Sequence, residues 1–305
     1  MGILYALLTA ALWALYNLVV RRGRESMDPG AGYLLTILIN VVTNLSFLLL
    51  PLPGAGAEGF GWVPLLLFGV AGLSVTLLGR WLYFETVFTL GPSRASSWKN
   101  MAPVYTLILA AIFLGEPVTL TAVAGIAAML AGAWALAREQ ERSAALGGGM
   151  KSAPTMAASA AKGQRFGILL GIGSGLAFST GILARRAGLL IWPDAAWGAA
   201  IGAMIALVGW TPFAIARGEF TALLRSRMRG AGPWVLAGLL SSLAQLFTFL
   251  ALRVLPSTIT QVLTSLEPVF TMGFSLLLFG AQENLNRRLL AAVGVVCLGV
   301  ALVVL

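Results

Sequence analysis

The chain has 305 residues, of which 59% are hydrophobic and 10% charged, with a mean hydropathy of +0.91 and a net charge of +9. Soluble domains carry about 25% charged residues, so this composition needs lipid as its solvent, and no basic face with aromatic partners points to nucleic acid as a partner. Histidine is absent, cysteine occurs once (Cys297) and aspartate twice (Asp28 and Asp194, both in predicted loops), which excludes histidine metal sites, histidine bases and an internal disulfide, and implies no cofactor.

Apolar runs of about 20 residues, enough to cross the hydrocarbon core, predict ten transmembrane helices. They lie near 3–21, 31–51, 62–89, 93–115, 118–137, 166–190, 195–216, 232–253, 257–280 and 287–305. The first lacks a basic leader and runs into Arg21 and Arg22, so it reads as a helix that stays, not as a signal peptide. The third and sixth exceed a simple span, which predicts tilt or a break. Trp62 and Trp234, at predicted helix starts, read as interfacial anchors. GILLGIGSG (167–175) and GAAIG (198–202) have the small-residue spacing of close helix packing.

One polar stretch, REQERSAALGGGMKSAPTMAASAAKGQR, interrupts the pattern at 138–165 and has the composition of a flexible linker. It divides the chain into a first repeat at 1–137 and a second at 166–305, five helices each. ALYNLVVRRG ends the first helix and AFSTGILARRAG the sixth. LGPSRASSWKNMAPVYTLILAAIFLG opens the fourth and LPSTITQVLTSLEPVFTMGFSLLLFG the ninth, so that Pro103 matches Pro268 and Gly115 matches Gly280. An odd number of helices per repeat turns the copies upside down relative to each other. PLPGAGAEGFG, between helices two and three, has no Lys or Arg, whereas ARGEFTALLRSRMRG, between seven and eight, has Arg217, Arg225, Arg227 and Arg229. By the positive-inside rule these two loops belong on opposite sides, with the linker (Arg138, Arg142, Lys151, Lys162, Arg165) cytoplasmic and both termini outside. The expected fold is an all-α membrane protein of ten transmembrane helices in two inverted five-helix repeats.

The end of each half resembles the EamA repeat of the drug/metabolite transporter superfamily: a helix with a central proline, a Gly-Glu turn, then a glycine-containing last helix. Here it reads APVYTLILAAIFLGEPVTLTAVAGIAAMLAGAWAL and LEPVFTMGFSLLLFGAQENLNRRLLAAVGVVCLGVAL. The second copy departs from the pattern with Gly280-Ala281 and Glu283 two residues later, and the first helix shows LWALYNLVV in place of a Trp-Gly-Ser-like stretch. The resemblance implies ten helices and secondary transport, often efflux, of small metabolites such as amino acids. It also implies cytoplasmic termini, against the charge count.

Charge within an apolar span costs about 2.5–3.5 kcal/mol, so each such residue needs a partner, water or a ligand. Arg80, Glu85, Lys99 and Asn100 flank the expected Gly91-Pro92 turn, and Gln245, Gln261, Thr264 and Glu267 flank the Leu255-Pro256 turn. With Asn17 they are the candidates for lining a polar cavity near mid-membrane, as repeat-built transporters have. Pro103 and Pro268 are the candidate helix bends. The structural alternatives stay open: a Glu85–Lys99 ion pair, snorkelling of Arg80 and Arg253, and interhelical hydrogen bonding by Asn17, Asn40 and Asn44.

The functional expectation is a multi-pass secondary transporter, in a bacterial inner membrane, moving an amino-acid-like solute or other organic anion or zwitterion outward. The mechanism is alternating access, with the solute, the lipid bilayer and a coupling proton as partners. No phosphate loop for ATP is present. A passive channel, or a membrane enzyme acting on lipid-linked substrates, are the alternatives; the latter lacks a catalytic constellation.

Overall fold

The computed structural model describes residues 1–51, 56, 59–90, 95, 98–146, 160–226, 228, 230–279 and 287–305, apart from the side chains of 140–146 and 160–163. The expected turns at Gly91-Pro92 and Gly280-Ala281, Glu283, Arg227, Arg229, Lys151 and the side chains of Arg142 and Lys162 lie outside this description.

Among the described residues every regular element is a helix, without a strand. The helices are α1 (Gly2–Gly23), α2 (Pro29–Ser46), α3 (Trp62–Gly72), α4 (Arg80–Leu90), α5 (Ala102–Leu114), α6 (Leu120–Leu146) and α7 (Ala160–Ile191). They continue as α8 (Ala195–Ala216), α9 (Glu219–Ser226), α10 (Gly232–Val254), α11 (Ser257–Thr264), α12 (Glu267–Phe279) and α13 (Arg287–Val304). Both aspartates of the chain are helix caps. Asp28 accepts from Ala31 N at 2.9 Å, ahead of Pro29 at the first turn of α2. Asp194 accepts from Ala196 N and Trp197 N at the start of α8, both at 3.0 Å. Side-chain oxygens satisfy amide groups there that the helix itself leaves unpaired.

Eight described helical segments are long and apolar enough to cross a membrane: Gly2–Gly23, Pro29–Leu49, Trp62–Leu90, Leu120–Glu139, Gln164–Ile191, Ala195–Ala216, Gly232–Val254 and Arg287–Val304. The expected count of ten is not reached among the described residues. The fourth and ninth runs are interrupted, and the reason is proline. Pro103 and Pro268 each occupy the second position of a 13-residue helix, where the missing N–H costs nothing and the ring no longer clashes with a preceding turn. The two interruptions match in detail: Val104 N donates to Met101 O at 3.0 Å, and Val269 N to Leu266 O at 2.9 Å. The prolines therefore open helices instead of bending them. Upstream of Pro268 the chain is already helical as α11, so the ninth run is two short helices end to end.

The long third run also breaks, as its length predicts. Leu73–Gly79 is a π-helix between α3 and α4. Such widened turns leave carbonyls poorly paired and recur at functional sites. Here Thr76 O accepts from Tyr33 Oη at 3.2 Å and Gly79 O from Ser174 Oγ at 3.2 Å.

Contacts divide the chain into two compact units: Met1–Leu77 with Gly181–Ser275, and Leu78–Thr180 with Leu276–Leu305. Each draws on both sequence repeats. In the first unit α1 packs along α10, α2 against α8 and α10, and α3 against α8. Phe68, Phe249, Leu252 and Trp192 form one core, and Leu34, Tyr33, Trp210 and Trp234 another. Trp234 corrects the expectation of an interfacial anchor. It is 2% exposed, donates Nε1 to Gly23 O at 3.1 Å, and covers Gly32 so closely that a Cβ there would lie 2.1 Å from the indole. Trp62, by contrast, is exposed. In the second unit α6 packs along α13 with backbones in contact at Gly125 and Gly299. The small-residue spacing of 167–175 also makes close packing there: Gly171 lies under Trp98 and Gly175 under Tyr105.

Candidate functional site

In the first unit, α1 carries Asn17 about 9 Å from its Gly23 end, six residues at ~1.5 Å each. Asn17 Nδ2 donates to Glu267 Oε1 at 2.6 Å, across 250 residues of sequence. Glu267 is half-buried and is the first residue of α12, so the positive end of that helix favours its carboxylate. Asn17 is exposed within this unit. An exposed amide joined to a carboxylate at span depth is costly against lipid tails and inexpensive against water or a solute. Trp13 stands edge-on to Tyr16 beside it, with centroids 5.2 Å apart.

One turn away, the carbonyl of Gln261 accepts from Ser265 Oγ at 2.8 Å and Thr264 Oγ at 3.0 Å. The two hydroxyls supply partners where the helix is interrupted ahead of Pro268. Gln261 and Thr264 are half-buried next to Glu267, so three of the predicted residues gather at the break.

Gln245 lies elsewhere. It is buried in a seam between α2 and α10 and donates to Asn40 Oδ1 at 2.5 Å. Asn40 Nδ2 in turn reaches Ser241 Oγ (2.7 Å), Thr36 O (3.0 Å) and Gly238 O (3.1 Å). Asn44 Nδ2 donates to Asn40 O at 2.7 Å. The bonds to Gln245, Ser241 and Gly238 are interhelical, worth about 0.6 kcal/mol each in a membrane, whereas those to Thr36 O and Asn40 O stay within α2.

The second unit holds the remaining candidates. Arg80 opens α4 directly after the π-helix, and Glu85 follows one and a half turns on. Lys99 and Asn100 precede α5, with Lys99 Nζ 5.9 Å from the centroid of the Tyr83 ring, within cation–π reach. All four are half-buried. The register that aligns Pro103 with Pro268 also aligns Arg80 with Gln245 and Lys99 with Thr264, so each unit has a polar helix break, but the charges differ.

Sequence reasoning missed Arg185. It is 4% exposed in the first unit, with its guanidinium 5.0 Å over the Phe249 ring. Its neighbour Arg186 donates to Leu252 O and Arg253 O at the carboxyl end of α10. The ARRAG string looked like an interfacial helix end; the available signal was that apolar residues continue beyond it to Ile191.

The ends of the first unit differ in charge. Around the Gly23 end, Arg21, Arg22, Arg24, Arg217 and Arg225 are exposed. The α1–α2 and α9–α10 connections meet there, through Ser26 Oγ to Gly230 O at 3.0 Å. At the other end of α8, Asp194 Oδ2 accepts from Gly56 N at 3.2 Å. Gly56, from the loop without Lys or Arg, and Arg217, from the arginine-rich one, thus mark opposite ends of α8.

Glu219 is the buried acid of the basic end. Its Oε2 accepts from Trp210 Nε1 at 2.9 Å, and it is 5% exposed. Burial pushes its carboxyl above the usual range, Asp28 adds to the rise, and the Trp210 bond and Arg217 oppose it. A carboxyl raised by folding stabilises the fold below its unfolded pKa and loses that contribution as pH climbs through the folded value. Wild type is therefore expected to lose thermal stability relative to Glu219→Gln between acidic and neutral pH. A pH series of melting temperatures checks this; a wild type that gains on the variant as pH rises contradicts it.

Comparison with known proteins adds the following. The family model described as the EamA-like transporter family matches residues 1–138 and again 165–305. No curated protein matches the chain. A crystal structure of a protein 18% identical aligns with a TM-score of 0.67 over 100% of this chain and 98% of its own, a likeness of fold.

Proposed function

The chain belongs to the EamA-like transporter family, and from that membership we propose that it exports a small organic anion or zwitterion, amino-acid-like in size, by alternating access. The family is one of membrane transporters, and the span-length helices fit an integral, multi-pass protein. The observation that carries the solute site is the Asn17–Glu267 pair: a carboxylate at span depth, held by an amide on an exposed helix face. Glu267 meets the ammonium of a zwitterion or carries the coupling proton. Within the second unit, Arg80 and Lys99 are the candidates to attract a carboxylate or phosphate. The basic end of the first unit is cytoplasmic by the positive-inside rule, which puts Met1 outside in a bacterial inner membrane.

Three helical runs pass from one unit into the other, within Leu73–Gly79, at Thr180-Gly181 and at Ser275-Leu276. The π-helix is the proposed hinge among them, because a widened turn exchanges hydrogen-bond partners at low cost.

A thermal-shift panel of carboxylates, phosphates and zwitterions on purified protein tests the proposal. A solute at 100 times its Kd stabilises the folded protein by about 2.7 kcal/mol. Arg80→Ala and Lys99→Ala are each expected to weaken transport of the selected solute about tenfold, as loss of a charge-assisted hydrogen bond does. Unchanged uptake at normal expression removes both from the mechanism. Counterflow in proteoliposomes separates a carrier, which unlabelled solute on the far side stimulates, from a channel.

A further inference from the structure

At the basic end of the first unit, α8 gives way to the short helix α9 through Gly218, whose φ of +69° turns the chain aside. Gly218 N donates to Ile215 O at 3.0 Å, and Gly218 O accepts from Ala222 N at 2.9 Å as α9 begins. One side of α9 is packed. Leu223 is buried and Phe220 half-buried against the core around Trp210. Glu219 is on that side too, 5% exposed and bound to Trp210.

The other side is open, and water alone would not select it. Arg217, Leu224 and Arg225 are all exposed, Leu224 to 78%. Ile215, about two turns after Val208 on the same face of the α8 span, is 66% exposed, so the lipid-facing stripe of α8 runs up to the start of α9. Glu219 is the sole acid of the segment ARGEFTALLRSRMRG. With its carboxyl turned inward onto Trp210, the open side of α9 shows positive charge only. The neighbouring α1–α2 connection exposes Arg21, Arg22 and Arg24 against Glu25 and Asp28, a further positive excess.

Exposed leucine beside exposed arginine on a short helix fits the bilayer interface, where apolar side chains enter the acyl boundary and cations meet phosphate. We propose that α9 lies in this interface and that its Arg217–Leu224–Arg225 face binds the headgroup of an anionic phospholipid. The planar guanidinium suits the role, since it grips a phosphate through two parallel hydrogen bonds. A soluble anion would use the charges and gain nothing from Ile215 and Leu224. The site is separate from the Asn17–Glu267 pair and stands whether or not the transport proposal does.

The test titrates the full chain, in detergent, with phosphatidylglycerol or phosphatidylcholine and reads binding as a rise in melting temperature, each variant against its own lipid-free value. Phosphatidylglycerol is expected to act at a concentration at least tenfold lower. Arg217→Gln and Arg225→Gln are each expected to weaken it about fivefold, and Leu224→Ser about threefold or more. Arg138→Gln combined with Arg165→Gln removes the same charge as the first two elsewhere on the chain, and is expected to leave the response within about twofold of wild type. Soluble glycerol phosphate and poly-glutamate are expected to give no rise. In phosphatidylglycerol vesicles, a nitroxide on Leu224→Cys in a Cys297→Ser background is expected to meet oxygen more readily than a water-soluble nickel chelate. Equal action of the two lipids, equal loss in the Arg138–Arg165 pair, or a rise with glycerol phosphate or poly-glutamate matching that with the lipid overturns the proposal. So does a Leu224→Cys nitroxide as open to the chelate as one on Ser26→Cys.

Discussion

Glu267→Ala is expected to reduce transport about 100-fold or more while leaving the protein folded in the membrane. Glu267 is half-buried, bonds Asn17 on an exposed face and belongs to neither of the cores around Phe68 and Trp210, so its truncation opens no cavity in them. What the substitution removes is the carboxylate. A hydrogen bond to a charged group is worth about 1.5–3 kcal/mol, which alone is roughly 10- to 100-fold in solute affinity. Loss of a coupling proton multiplies that effect. Glu267→Gln separates the two roles. It keeps an oxygen for Asn17 and cannot ionise, so a carrier that binds an ammonium or moves a proton at this position stays inactive with glutamine. Asn17→Ala is expected to cost less, about 10-fold, because it orients the carboxylate without supplying charge. Wild-type rates for Glu267→Ala and Glu267→Gln remove Glu267 from the pathway.

Gly72→Leu is expected to prevent folding of the first unit, and Gly72→Ala to lower its stability by about 2 kcal/mol or more. A Cβ on Gly72 would lie 2.2 Å from Gly202 O, and backbone cannot rotate away as a side chain can. The close approach of α3 to α8 depends on this absence, since helix association in lipid relies on backbone proximity where apolar surface gives no drive. Gly273 is the control. Nothing lies within 4 Å of a Cβ there, so Gly273→Ala is expected to be neutral or to gain about 0.5–1 kcal/mol from helix propensity. Melting temperatures of the three variants in one detergent check the order; equal stability of Gly72→Ala and Gly273→Ala contradicts the packing argument.

Much of the fold was legible because lipid leaves the backbone few options. Continuous apolar runs gave helices, and eight of the expected ten meet the length of a span. The other two runs carry a break among the described residues, for a local reason the sequence displayed. Pro103 and Pro268 were read as bends, yet at the second helical position proline starts a helix, and hydrogen bonds to Met101 O and Leu266 O mark where each begins. The assignment of contacts to units was not legible. The sequence repeats at 1–137 and 166–305 are not the compact units of the fold, each of which takes helices from both halves. Tertiary pairing such as α1 with α10 leaves no trace in periodicity.

Site residues divided along the same line. Asn17 and Glu267 stood out because polar groups in apolar runs need an explanation, and the structure joins them. Gln245 stood out equally and turned out to serve the α2–α10 seam, since hydropathy does not distinguish a buried amide with a partner from one that meets solvent. Arg185 escaped notice because a doubled arginine reads as the end of a membrane helix, and only packing against Phe249 shows it inside.

The account turns on whether water reaches Asn17 and Glu267 at span depth. Cys297 is the chain's only cysteine, so Cys297→Ser gives a background for single-cysteine labelling. In that background Asn17→Cys, in native membranes, is expected to react with a water-soluble methanethiosulfonate at a rate comparable with Ser26→Cys in the exposed α1–α2 loop. Leu298→Cys, on the exposed apolar face of α13, stays unreacted. If Asn17→Cys is as inert as Leu298→Cys, the polar pair faces no aqueous path and the transport site is not there.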